Sequence, residues 1–261
     1  MSDIALFELL AAIFALVAAV FIFDQQVYRP RPYKFMWSLG LLFYGIAALA
    51  AYAGAASHWT VTEYKLWYYF GGILTAAFLG LGSCYLLAPV RVARGFAAVM
   101  VLLAIYSAAR IALYTVPADI AARMANASFN AVTNVKTFVV LPGDMTLAAI
   151  IMSIAGALWL FGGALWSAWT FWRRHTPGYR VISMALLALG ALFPSILTGL
   201  QRLGYSAAAP LGEFLGAVCL LAGLLISLEV FSVFRIPFTS IVLRERRAAT
   251  TPGSSAPASN S

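Results

Sequence analysis

Apolar positions fall into seven long runs, and polar positions gather between them. The runs are Ile4–Phe23, Met36–Ala56, Leu66–Leu87, Gly95–Val116, Leu147–Trp169, Val181–Leu200 and Leu211–Phe234. An α-helix rises about 1.5 Å per residue, so roughly 20 apolar residues cross the hydrocarbon of a bilayer. Inside lipid every backbone N–H and C=O must be paired within its own segment, which makes runs of this length helices. The pattern predicts an all-α membrane protein, a seven-transmembrane-helix bundle forming one domain over residues 1–247. Ala248–Ser261 is rich in Ala, Ser, Thr and Pro without apolar periodicity and reads as a disordered cytoplasmic tail.

The loops orient the bundle. Arg29, Arg31, Lys34, Arg91, Arg94, Arg173, Arg174, Arg180, Arg235, Arg244, Arg246 and Arg247 fall on one side, against Lys65, Arg123, Lys136 and Arg202 on the other. Twelve against four places the first side in the cytoplasm. The N-terminus, with Asp3 and Glu8, is then outside. The expected location is a cytoplasmic (inner) membrane, with the bilayer as first partner. The first run lacks a basic leader and carries its arginines after it, so it reads as a helix and not a signal peptide.

Composition agrees with this picture. The chain is 63% hydrophobic and only 10% charged, too little charge to cover a soluble domain of 261 residues. Its net charge of +8 reads as topology and attraction to anionic lipid, not nucleic-acid binding. Cys84 and Cys219 fall near opposite ends of their runs and are expected to stay unpaired.

Two aromatic clusters read as interfacial anchors: Trp59, Tyr64, Trp67, Tyr68 and Tyr69, and Trp166, Trp169 and Trp172. The outer segment Pro117–Thr146 is the longest connection. A helix starting at Pro117-Ala-Asp119 would lay Ile120, Met124 and Ala127 on the bundle as a cap, Val135–Leu141 would be extended, and Pro142-Gly-Asp144 would turn into the fifth run. Gly71, Gly72, Gly80 and Gly82, with the Gly212/Gly216 pair, provide close helix packing or a homodimer face.

A weak repeat suggests a 3+1+3 plan of two parallel three-helix units. Pro32-Tyr-Lys34 matches Pro177-Gly-Tyr-Arg180, Gly45 matches Gly190, and Glu63-Tyr64 matches Glu213-Phe214. Parallel repeats occur in solute transporters, including sugar carriers of the SWEET type.

Polar groups inside the runs carry any candidate chemistry, because a charge in hydrocarbon costs at least about 2.5–3.5 kcal/mol. Tyr106, Arg110 and Tyr114 share one helical face with Ser107 nearby. Arg110 reads either as a bidentate clamp for a carboxylate or phosphate, or as a snorkelling or ion-paired residue. Glu8 and Glu213 are candidate partners at a similar level, and Gln201, Arg202 and Tyr205 would complete an outer vestibule. Glu229 with Arg94 reads as an inner-border ion pair. A Schiff-base lysine in the last run, histidines within runs, a protease serine motif and a clustered Cys/His site are all missing. The expectation is a non-enzyme with no cofactor and no metal.

The sequences Arg29-Pro-Arg-Pro32 with Lys34 and Trp37, Leu81-Gly-Ser-Cys-Tyr-Leu-Leu-Ala-Pro89 and Gly162-Gly-Ala-Leu-Trp-Ser-Ala-Trp-Thr-Phe-Trp-Arg-Arg174 resemble uncharacterised bacterial seven-helix multipass membrane proteins. The first three helices are also faintly similar to seven-helix sensory regions of bacterial histidine kinases, which implies a separate output partner here. Two functional expectations follow. One is a bundle binding a small anionic or amphipathic solute from outside, as transporter or sensor; the other is an accessory subunit docked on a membrane-protein partner.

Overall fold

A computed structural model describes residues 3–28, 30–129, 132, 141–173, 178–202, 208–230, 233–235 and 242–245. Its helices are α1 (Asp3–Tyr28), α2 (Pro32–Ala56), α3 (Val61–Leu87), α4 (Val90–Leu113), α5 (Ala118–Ala125), α6 (Gly143–Arg173), α7 (Gly178–Arg202) and α8 (Ala208–Val230). Prolines set several starts. Pro32 opens α2, where a missing N–H costs nothing, and Pro89 and Pro117 precede α4 and α5. Thr60 and Glu63 form a reciprocal capping box at the start of α3. The membrane body is wholly helical. The seventh run is helical as far as Val230 among the described residues and does not stay so to Phe234, because Val233–Arg235 (β1) pairs antiparallel with Val242–Glu245 (β2).

Six helices are long and apolar enough to cross a bilayer among the described residues: α1, α2, α3, α4, α6 and α8. The chain is therefore a multi-pass membrane protein. In α7 the described apolar stretch is shorter, Ala185–Pro194. The bundle exterior agrees, with Leu102, Leu113 and Leu158 among the large apolar side chains left exposed.

The helices form a closed ring in the order α1, α2, α3, α6, α7, α8, while α4 packs outside it on α3 and α6. One face of α1 is almost all alanine where it is buried, at Ala5, Ala11, Ala12, Ala15, Ala18 and Ala19, which lets α2 and α8 approach closely.

The α2–α3 seam and the α7–α8 seam use matching contacts. A Cβ on Gly40 would lie 2.8 Å from Leu79 Cγ and 2.9 Å from its backbone nitrogen; on Gly190 it would lie 2.7 and 3.0 Å from the same atoms of Leu220. Gly71 faces Ala47 as Gly212 faces Leu197, and Gly82 faces Trp37 as Gly223 faces Leu187. In all three contacts the α7 number is the α2 number plus 150, and the α8 number is the α3 number plus 141. Gly190 thus makes the same kind of contact as Gly40, while Gly45 receives Leu16 of α1. Gly40→Val and Gly190→Val should each destabilise by about 1–3 kcal/mol, the usual cost of overpacking. Thermal unfolding in one detergent checks this prediction, and a marked drop in only one variant would break the equivalence.

The described residues of the long connection pack on the bundle. Ala118–Ala125 is helical, Met124 is fully buried, and Ile120 and Ala127 pack on the same cluster. This packing corrects one expectation. Trp59, Tyr64 and Tyr68 are buried in one apolar cluster with Met124, and Trp59 packs on Phe129, so they are core residues rather than membrane anchors. Trp166, Trp169 and Trp172 are exposed, as an interfacial belt requires. Cys84 and Cys219 are free, and Gly212 and Gly216 pack internally on α7. The expected extended stretch, apart from Leu141, and the tail 248–261 lie outside the described residues.

Candidate functional site

A cavity of about 460 Å³ lies within the ring, a volume typical of small-molecule pockets. Every ring helix except α1 contributes to its wall: Tyr44 and Ala47 from α2, Ser153, Ala157 and Leu160 from α6, Gly190, Ala191 and Pro194 from α7, and Glu213 and Leu220 from α8. The α3 share is Trp67, Gly71, Gly72, Thr75, Ala76 and Leu79. Four of these six belong to a π-helical stretch, Trp67–Thr75, set inside α3. Such widened turns are rare and concentrate at functional sites. Here the loosened carbonyls find side-chain donors: Thr75 Oγ1 donates to Phe70 O at 2.8 Å, and Ser153 Oγ donates to Gly72 O at 2.7 Å.

Two carboxyl groups meet at the cavity wall. The carboxyl groups of Glu8 of α1 and Glu213 of α8 lie within electrostatic reach of each other, and Glu213 lines the cavity. Each sits five residues into its helix, about 7–8 Å from the helix start. Glu8 is only 1% exposed, and its Oε2 has no hydrogen-bond partner among the described residues. Tyr44, from the middle of α2, donates its hydroxyl to the Glu213 backbone oxygen at 2.6 Å. Two carboxyl groups can hydrogen-bond to each other only through a proton held by one of them, because an ionised carboxylate only accepts.

Arg110 does not join them. Its Nε lies 2.9 Å from Asp144 Oδ2 at the start of α6, and Tyr106 donates to the same oxygen at 2.9 Å. Both partners are well exposed, 45% and 36%, and α4 stands outside the ring. The ion-paired reading of Arg110 therefore describes its geometry, with Asp144 as partner rather than Glu8 or Glu213. Ser107 is buried away from this pair, and its hydroxyl has no partner among the described residues. Tyr114 contributes its carbonyl, which accepts from Lys65 Nζ at 2.6 Å and so caps the end of α4.

Arg94 is exposed at the start of α4. The side chains of Gln201, Arg202 and Glu229, and the whole of Tyr205, lie outside the described residues. Glu63, matched with Glu213 by sequence, caps α3 instead and has no role at the cavity.

Sequence reasoning missed Tyr44, Trp67, Thr75, Ser153 and Asp144. Tyr44 had a readable signal, a hydroxyl placed between Ser38 and Tyr52 near the centre of an apolar run. Asp144 had another, since it opens its helix near the end where Arg110 closes its own. The π-helical stretch has no periodicity that marks it. Compared with known protein families, curated proteins and solved structures, the chain matches none.

Proposed function

We propose that this chain is a solute-binding membrane bundle, a transporter or sensor, that takes a small amphipathic molecule into the central cavity. In this reading α7 also crosses the bilayer, giving seven spans. The N-terminus and the α5 cap lie outside, and the C-terminus lies in the cytoplasm of a bacterial inner membrane. The bias of Lys and Arg between loops supports the orientation. The bundle is two parallel three-helix units, α1–α3 and α6–α8, joined by α4. The matching glycine contacts support this division, and so does a ring in which each seam of one unit has its counterpart in the other.

The observation that carries the reading is the cavity between the two units, where parallel-repeat transporters place their solutes. Its wall is mainly apolar with a few polar groups, which suits an amphipathic solute. The anion clamp once suggested by Arg110 has no part in it, because Arg110 is engaged by Asp144 outside the ring.

Gly72 offers the test. It lines the cavity, and a Cβ there meets nothing within 4 Å, so Gly72→Leu adds bulk at the cavity wall from a position that has room for its first carbon. Native mass spectrometry of protein extracted gently from its own membrane should show a retained small molecule. That mass should vanish in Gly72→Leu and persist in Arg110→Gln. Persistence in Gly72→Leu would place the ligand elsewhere. A stoichiometric protein partner with no small-molecule mass would replace this reading with the accessory-subunit one.

A further inference from the structure

Resting on the cavity as a solute site, we propose that Glu213, supported by Glu8, receives the ammonium group of a small organic cation, which enters in exchange for one proton.

Geometry selects the class. The only ionisable acid among the described lining residues is Glu213, and no lysine, arginine or histidine is among them. Trp67 lines the same cavity, and an indole face attracts a desolvated ammonium. A bare metal ion fits poorly. Hard cations take six or more oxygens, and no group of three His, Cys, Asp or Glu side chains converges among the described residues. The volume also suits an organic molecule rather than a single ion.

Glu8 is the second half of the argument. It is buried, its carboxyl group is coupled to that of Glu213, and its Oε2 has no hydrogen-bond partner among the described residues. A carboxylate has no reason to be buried in an alanine-lined seam unless it keeps its proton and donates it to a neighbour. Glu8 therefore acts as a positioning residue, whose O–H supports Glu213 when that group ionises. The groups facing the pair are Tyr44 from α2 and the two acids themselves. Phe193, Pro194 and Leu197 of α7, which pack on the first turns of α8, cannot titrate.

The exchange balances. With the cavity empty, Glu213 holds a proton. As the ammonium arrives, the Glu213 O–H bond breaks, the proton leaves to water, and the carboxylate pairs with the cation. The ammonium keeps its three N–H bonds, and the net charge in the bundle is unchanged.

The test uses the full chain in detergent with benzylammonium, choline and tetraethylammonium as probes and benzyl alcohol as the uncharged control. At least one ammonium should raise the thermal midpoint, and benzyl alcohol should not. The shift should disappear in Glu213→Gln, whose unliganded midpoint reports an intact fold. It should survive in Glu8→Gln, where the amide can also donate to Glu213. Affinity should strengthen with rising pH by up to about tenfold per unit, because each cation displaces one proton. No response to any ammonium, an equal response to benzyl alcohol, or a shift that survives Glu213→Gln would each overturn the proposal. The outcome is separable from the cavity reading: a ligand lost in Gly72→Leu but kept in Glu213→Gln would leave the solute site standing and remove the ammonium.

Discussion

Gly156→Leu should yield almost no folded protein, whereas Gly162→Leu, six residues further along the same helix, should yield normal amounts. Gly156 of α6 lies directly on the main chain of α3, against the backbone of Ala76 and Ala77, and Gly80 of α3 lies on the backbone of Gly156 in turn. A Cβ on either glycine meets main-chain atoms that no rotamer can move aside. Adding a methylene to a packed core costs about 1–3 kcal/mol when neighbouring side chains can yield. Here a whole isobutyl group must separate two helices that join the halves of the ring, which threatens a total stability of about 5–15 kcal/mol. Gly162 meets nothing within 4 Å, so the control carries the same change in helix propensity without the clash. Size-exclusion profiles and yields from matched preparations decide it. Equal yields would show that the α3–α6 contact adds little to assembly.

The contrast between these glycines marks where sequence reading stops. Apolar runs, proline-led helix starts and the helical cap at Ala118–Ala125 follow from local chemistry, and they are legible because each depends on a few neighbouring residues. Gly80 was visible as a packing residue, but its partner Gly156 was not, since pairing across a bundle depends on rotation and depth. Trp59 shows the same limit. Its sequence surroundings suit a membrane anchor, yet it is buried and packs on Phe129, which lies 70 residues further on.

The candidate site divides in the same way. Glu8 and Glu213 were identifiable as costly residues in apolar runs, and the fold brings those two together. Arg110 was equally costly by sequence, but it joins Asp144 because α4 stands outside the ring. Cost in lipid identifies polar residues that need a partner. It does not distinguish a partner inside the bundle from one on its rim. The π-helical turn at Trp67–Thr75 is harder still, because no residue pattern separates it from the α-helix on either side.

Leu160→Asn should turn the protein into a leak. The central cavity ends at Leu79, Leu160 and Leu220, and the same three side chains line a second, much smaller crevice of about 20 Å³. That crevice continues along Ser83, Leu87, Gly163 and Ser167, toward the end of the bundle away from the cap. Leu79 of α3 and Leu220 of α8 are also the two leucines that occupy the matching glycine seams. An apolar constriction of this kind blocks ions and water by excluding them from the gap, not by filling all of it. Asn has nearly the shape of Leu but can hold water, so the substitution wets the constriction while leaving the packing in place. Entrapped potassium ions should leave proteoliposomes bearing Leu160→Asn roughly tenfold faster than those bearing the unaltered protein, the factor that about 1.4 kcal/mol off a barrier provides. The result also separates the two forms of the proposed function. A transporter needs spaces on both sides of a single removable barrier, whereas a sensor needs only the first space. Efflux equal to that of the unaltered protein would mean that the leucine layer is not the barrier, and it would favour the sensor.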